Sequence, residues 1–202
     1  MNVGVLASGA GTNLQAILDT VHGRDGIELR AAASDQPRAP ALDRARAAGV
    51  PAGVFRSADY PDREGRDAAM AAWLAEQGVE LVVLAGYMQL LTGAFLGRFP
   101  DRVINVHPAL LPSFPGLDAI GQAVAYGVKV FGVTVHFVDE GVDSGPVILQ
   151  RSLELPEAAD PDEVHKRLRP LEHELLPEAI RLIATGAVSF DPANRRRVVV
   201  AR

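Results

Sequence analysis

The sequence predicts an α/β protein with a Rossmann-like, mostly parallel sheet, helices on both faces, and a mixed sheet toward the C-terminal half. Three observations carry this. Short apolar runs alternate with helix-length segments through the first half of the chain. The first run ends in a glycine turn that opens onto helical spacing. Two later apolar runs flank a turn-rich segment and read as an antiparallel hairpin.

Taken in order, residues 3–7 form a β-branched strand that ends in Ser8-Gly9-Ala10-Gly11-Thr12-Asn13, and Leu14, Ile17, Leu18 and Val21 then recur at helical spacing. A second strand over 27–33 meets Pro37 and Pro40 before a helix over 41–48, which Gly49 stops. Residues 51–55 read as a third short strand and 62–77 as a helix closing at Gly78. The almost uninterrupted apolar run over 80–85 suits a strand covered on both faces. A strand over 102–106 leads into His107-Pro108, and the prolines Pro108, Pro112 and Pro115 make 108–116 an ordered loop. A helix over 118–126, strands over 130–138 and 147–155, and a long amphipathic helix from Asp160 or Asp162 toward Ala184 complete the pattern, with a kink expected near Pro170 and Pro177. The expected organisation is a single domain over 1–188 with a short C-terminal tail over 189–202, in which Arg195, Arg196 and Arg197 are solvated.

Composition narrows the function classes. Of the 202 residues, 48% are hydrophobic and 22% charged, which is ordinary globular usage. A net charge of -5 gives no electrostatic reason to expect nucleic acid or an anionic membrane as partner. No cysteine is present, so disulfides and thiolate chemistry are excluded. The N-terminus lacks a basic start and cleavage site, and no apolar stretch approaches the roughly 18 residues of a spanning helix, so the expected location is cytoplasmic. The oligomeric state is not legible, and a homodimer is left open.

The glycine loop reads as an anion site. Backbone N–H groups at a helix N-terminus favour a phosphate. The run Gly9-Ala10-Gly11-Thr12-Asn13-Leu14 departs from a dinucleotide fingerprint, because Leu14 stands where the third glycine would pack and the later acid is poorly placed, although Asp35, near the end of the second apolar run, leaves that reading open. A plain strand-to-helix turn is the competing account.

Asn105 and His107 are two apart at the end of a strand, so their side chains point to the same side of it, and strand ends are where open α/β sheets bind ligands. Asp143 lies in Gly141-Val142-Asp143-Ser144-Gly145-Pro146, a loop with no packing need for a carboxylate. If it approaches His107 it favours the charged imidazole over the ordinary value of about 6.5. An imidazolium beside an asparagine amide suits an oxyanion. There is no G-x-S-x-G elbow, so direct attack by a substrate amine fits better than an acyl-enzyme. His22, His107, His136, His165 and His173 show no metal-ligand spacing, so no metal is expected, and His136 reads as a sheet-packed histidine.

Together, ASGAGTNLQAIL, LVVLAGYMQLL, INVHPALLPSFPG and GVTVHFVDEGVDSGPVILQ resemble the phosphoribosylglycinamide formyltransferases, the folate-dependent glycinamide ribonucleotide transformylases. The resemblance implies the formyltransferase fold and 10-formyltetrahydrofolate as co-substrate, with Asn105, His107 and Asp143 catalytic. It also implies Gly11, Thr12 and Asn13 at the substrate phosphate and Glu172 near the ribose and glycinamide. The folate would lie along Met88, Gln89, Leu90 and Leu91 and along Asp139, Glu140, Gly141, Val142 and Asp143, with Asn105 beside it and Arg63 near its glutamate tail. Relatives often carry arginine where Gln89 stands, and histidines where Asp118-Ala119-Ile120-Gly121 stands.

Two other readings share these residues. A formyltetrahydrofolate hydrolase, or the catalytic domain of methionyl-tRNA formyltransferase, uses the same Asn, His and Asp logic, but each normally carries a further domain for which this chain has no room. A nucleotide-binding module without catalysis would make the three residues structural.

Overall fold

A computed structural model describes residues 1–201. The chain divides into two compact units, the first running from Met1 to Asn105 and the second starting at Val106. The fold is α/β, parallel in the first unit and mixed in the second.

The first unit holds β1 (Asn2–Leu6), α1 (Thr12–Thr20), β2 (Glu28–Ser34), α2 (Pro40–Ala47), β3 (Ala52–Val54), α3 (Arg63–Glu76), β4 (Leu81–Leu84), the one-turn α4 (Gly93–Leu96) and the start of β5 (Val103–His107). The strands run in the order β3-β2-β1-β4-β5, and every pairing is parallel. Leu81 to Leu84 are all buried, as are Val3, Val5 and Leu6. This is why β4 reads as an unbroken apolar run: a central parallel strand has no solvent face. The Asp62 carboxylate accepts from the Gly65 N–H at 2.7 Å and starts α3. α4 has no periodic signal in so short a stretch and is held by the fully buried Phe95, whose ring lies 5.5 Å from that of Phe99.

The second unit holds the end of β5, then α5 (Ala119–Tyr126), β6 (Val130–Phe137), β7 (Val147–Glu154), α6 (Pro161–Ala184), β8 (Val188–Asp191) and β9 (Asn194–Val200). β6 and β7 form the expected antiparallel hairpin, with a bulge between Val135 and His136. α6 is one continuous helix of 24 residues that includes Pro170 and Pro177. It buries Val164, Leu168, Leu175, Leu176, Ala179, Ile180 and Ile183, a stripe at helical period.

Residues 189–200, from the segment expected to form a tail, instead build most of the β8–β9 hairpin, and β9 runs parallel to β7; Arg202 lies outside the described residues. The β-branched Val198-Val199-Val200 supplies the strand, and the Asp191 carboxylate accepts from Ala193 N–H at 2.8 Å in the turn. The arginine run is therefore engaged: Arg195 lies over the Phe190 ring, Arg197 pairs with Asp191 at 3.7 Å, and Arg196 donates to the Ser144 carbonyl at 2.8 Å. Among the described residues, no helix is long and apolar enough to cross a membrane.

Candidate active site

Within the second unit the chemistry gathers on one carboxylate. His107 ends β5, and its imidazole is almost wholly buried. Nε2 faces the Phe114 carbonyl at 2.8 Å, and Nδ1 faces Asp143 Oδ2 at 3.3 Å. Both ring nitrogens thus meet oxygen acceptors, and only the doubly protonated ring can donate to both. The 3.3 Å contact is longer than a tight charge-assisted bond.

Asp143 has three further constraints. Its Oδ2 accepts from the Gly116 N–H at 2.7 Å, and Oδ1 stands 3.5 Å from His136 Nε2. Its own backbone is left-handed, with φ of 47°, a conformation that aspartate tolerates better than most residues. Burial works to raise the carboxyl pKa. The His136 hydrogen bond, the Gly116 N–H and the two imidazole charges outweigh it, so the group is held below the usual carboxylate value.

The loop that supplies Phe114 and Gly116 is pinned from beneath. The Thr134 hydroxyl donates to the Ala109 carbonyl at 2.6 Å and accepts from the Leu111 N–H at 3.1 Å. Gln150 on β7 donates to the Leu111 carbonyl at 2.8 Å and to the Thr134 hydroxyl at 3.0 Å. Phe114 itself has φ of 55°, rare for a bulky residue, and its carbonyl is the one that meets His107. The loop carrying Asp143 is tied by Asp139, which accepts from Ser144 Oγ at 2.6 Å and from Gly141 N–H at 3.1 Å. Gly145 admits no side chain there, since a Cβ would stand 1.8 Å from the Phe137 carbonyl oxygen. Glu140 and Val142 are exposed on this loop, and Glu172 is buried on α6.

His136 is the residue that sequence reasoning underrated. It is sheet-packed as expected, with Nδ1 at 2.7 Å from the Phe137 carbonyl, yet it also reaches Asp143. The bulge at Val135/His136 is the kind of irregularity that re-aims a strand side chain. No spacing in the sequence signals it.

In the first unit, Gly11 precedes α1 with φ of 70°, and no side chain caps that helix. Thr12 and the buried Asn13 begin the helix. A Cβ on Gly11 would stand 2.6 Å from the Ala41 Cα, so α2 closes tightly on the loop. Asn105 ends this unit on β5, paired in register with Leu84. Of the residues expected along the folate, Leu91 is buried in the core while Met88 and Leu90 are 60% and 54% exposed. Arg63 donates to the Leu90 carbonyl at 3.1 Å, so it does sit with this segment, and Gln89 Nε2 approaches Asp35 Oδ2 at 3.4 Å. Thr92 at its end gives its N–H to Asp67 at 2.7 Å, and Asp67 forms a fully buried ion pair with Arg66. Burial pushes the neighbouring Tyr87 phenol upward. Among the described residues no group of three or more carboxylates and histidines is arranged to hold a metal ion.

By fold the chain stands with proteins that transfer one-carbon formyl groups. It is 48% identical in sequence to glycinamide ribonucleotide transformylase 1 from Symbiobacterium toebii, whose crystal structure superposes with a TM-score of 0.95 over 100% of this chain and 94% of that one. It is 40% identical over 179 residues to the phosphoribosylglycinamide formyltransferase of Bacillus subtilis, spanning 88% of this chain and 91% of that protein. It is also 38% identical over 193 residues to the trifunctional purine biosynthetic protein adenosine-3 of Drosophila melanogaster, covering 94% of this chain and 14% of the relative. Residues 1–180 match the formyl transferase family model, and the chain belongs to that family.

Proposed function

We propose that this protein transfers the formyl group of 10-formyltetrahydrofolate to the amine of 5-phosphoribosylglycinamide in purine synthesis. The observation that carries the reading is the pair of buried His107 and partly buried Asp143, 3.3 Å apart, in a chain of the formyl transferase family. The exposed Met88 and Leu90 suit the donor, since they offer apolar surface to a flat heteroaromatic ring. The donor supplies the formyl carbon.

In the proposed reaction the substrate amine attacks that carbon directly. Asn105 donates its amide to the developing oxyanion, and protonated His107 donates to the same oxygen; such a donor is typically worth about 3 to 4 kcal/mol. Asp143 orients and charges the imidazole, and the Phe114 carbonyl holds its other nitrogen. The attacking amine nitrogen gives up a proton to water or to His107, and His107, directly or through water, gives a proton to the folate nitrogen as its bond to the formyl carbon breaks. Backbone N–H groups at Gly11, Thr12 and Asn13 bind the substrate phosphate at the α1 N-terminus, and Glu172 hydrogen-bonds the ribose and glycinamide. Gln89, Leu91, Arg63 and the segment Asp139 to Asp143 flank the folate. Both substrates are water-soluble small molecules, which fits work in the cytoplasm without a nucleic acid or membrane partner.

Carbon-labelled formyl donor tests this. The label should appear on the glycinamide nitrogen with wild-type protein, and His107→Ala should abolish its transfer while leaving the far-UV circular dichroism unchanged. Label released only as formate would overturn the reading.

A further inference from the structure

A second polar cluster, in the first unit, is used neither by the His107 chemistry nor by the phosphate loop. Its centre is Asp35, at the end of β2 and 6% exposed. Asp35 Oδ1 accepts from Ser8 Oγ at 2.6 Å. Its Oδ2 accepts from Gln36 Nε2 at 2.9 Å and is approached by Gln89 Nε2 at 3.4 Å. The Ser8 hydroxyl, having given its proton to Asp35, accepts the backbone N–H of Met88 at 3.0 Å, and the Ser8 N–H donates to the Gly86 carbonyl at 3.0 Å.

This makes a directed chain from the Met88 N–H through the Ser8 hydroxyl to the Asp35 carboxylate. A hydroxyl bonded to an ionised carboxylate becomes a better acceptor at its own oxygen, and an O–H to carboxylate bond near 2.6 Å is of the strong, charge-assisted kind. The chain lies where β1 opens into the glycine loop, and it grips both the backbone and a side chain of the segment carrying exposed Met88 and Leu90.

We propose that Ser8 and Asp35 are positioning residues for the formyl donor: they fix the Met88 backbone and the Gln89 side chain, and so set the shape of the surface that receives the folate ring. The proposal rests on the reading of Met88 to Leu91 as the donor segment. The acidic residue that resembles a misplaced ribose-binding acid of a dinucleotide site is thereby given a structural task inside the protein.

Two readouts test it. Amide hydrogen exchange at Met88, followed by NMR in the protein without substrates, should quicken at least about tenfold in Ser8→Ala and stay slow in Ser8→Thr, which keeps the hydroxyl. Steady-state kinetics should show KM for 10-formyltetrahydrofolate rising about tenfold in Ser8→Ala and in Asp35→Ala, with kcat and the KM for the amine substrate changed less than about twofold. Asp35→Asn retains one acceptor oxygen and should recover most of the loss. Unchanged exchange at Met88 in Ser8→Ala overturns the positioning role, and so does an equal rise in KM for both substrates. The exchange measurement needs no turnover, so quickened exchange in a protein that proves inactive with folate would count against the proposed function and leave the Ser8–Met88 link standing. If Asp35→Ala does not fold, the Ser8 pair of variants decides alone.

Discussion

Asp143 Oδ2 lies 3.3 Å from His107 Nδ1, and the same oxygen takes the Gly116 N–H at 2.7 Å. The carboxylate is thus fixed by the loop that also supplies the Phe114 carbonyl to the far side of the imidazole. Asp143→Asn keeps the shape and removes the charge. We expect kcat to fall by about two to three orders of magnitude, with a smaller change in KM and no change in circular dichroism. Steady-state kinetics on the purified variant check this.

Acid should dissolve part of this arrangement. Asp143 is held below its ordinary value, so its ionised form is stabilised by folding. That contribution is fully present above the unfolded value of about 3.9 and is lost as pH falls through the lower folded value. The stability gap between wild type and Asp143→Asn, measured by urea unfolding, should shrink as pH falls below about 4. A gap unchanged at pH 3 would show that the charge is not what the surroundings favour.

Thr134 is the hub under the proline loop, joined to Ala109, Leu111 and Gln150. Thr134→Val conserves volume but leaves buried partners without their hydroxyl, a loss of about 1 to 3 kcal/mol by denaturant unfolding. Because the loop carries Phe114 and Gly116, kcat should fall with it. Thr134→Ser should restore most of both.

Gly11 combines a left-handed backbone with the close approach of α2. Gly11→Ala should cost about 2 to 4 kcal/mol, from strain at φ of 70° and from the clash with Ala41. It should also weaken the phosphate-bearing substrate more than the donor, read as a rise in its KM.

The parallel half of the fold was legible because its strands are short, apolar and punctuated by Gly and Pro, as with Val3 to Leu6 before Gly9 and Leu81 to Leu84 before Gly86. The pairing of β6 with β7 was legible for the same reason. The C-terminal hairpin was not, because three consecutive arginines disguise a strand whose exposed face is charged. At the site, the place of His107 at a strand end follows from the sequence, and the resemblance supplied Asp143. His136 was read as sheet-packed and no more, because its contact with Asp143 lies beside a bulge, and a bulge leaves no mark in an alternating run such as Thr134-Val135-His136-Phe137. The cluster around Asp35 was not legible, because its partners Ser8, Gln36 and Gln89 include residues scattered in sequence that meet only in the fold.

The most direct test of the account follows consumption of 10-formyltetrahydrofolate by the wild-type protein with and without 5-phosphoribosylglycinamide. Consumption should require the amine and match formylated product one for one. Donor loss at the same rate without the amine would contradict it and identify a hydrolase.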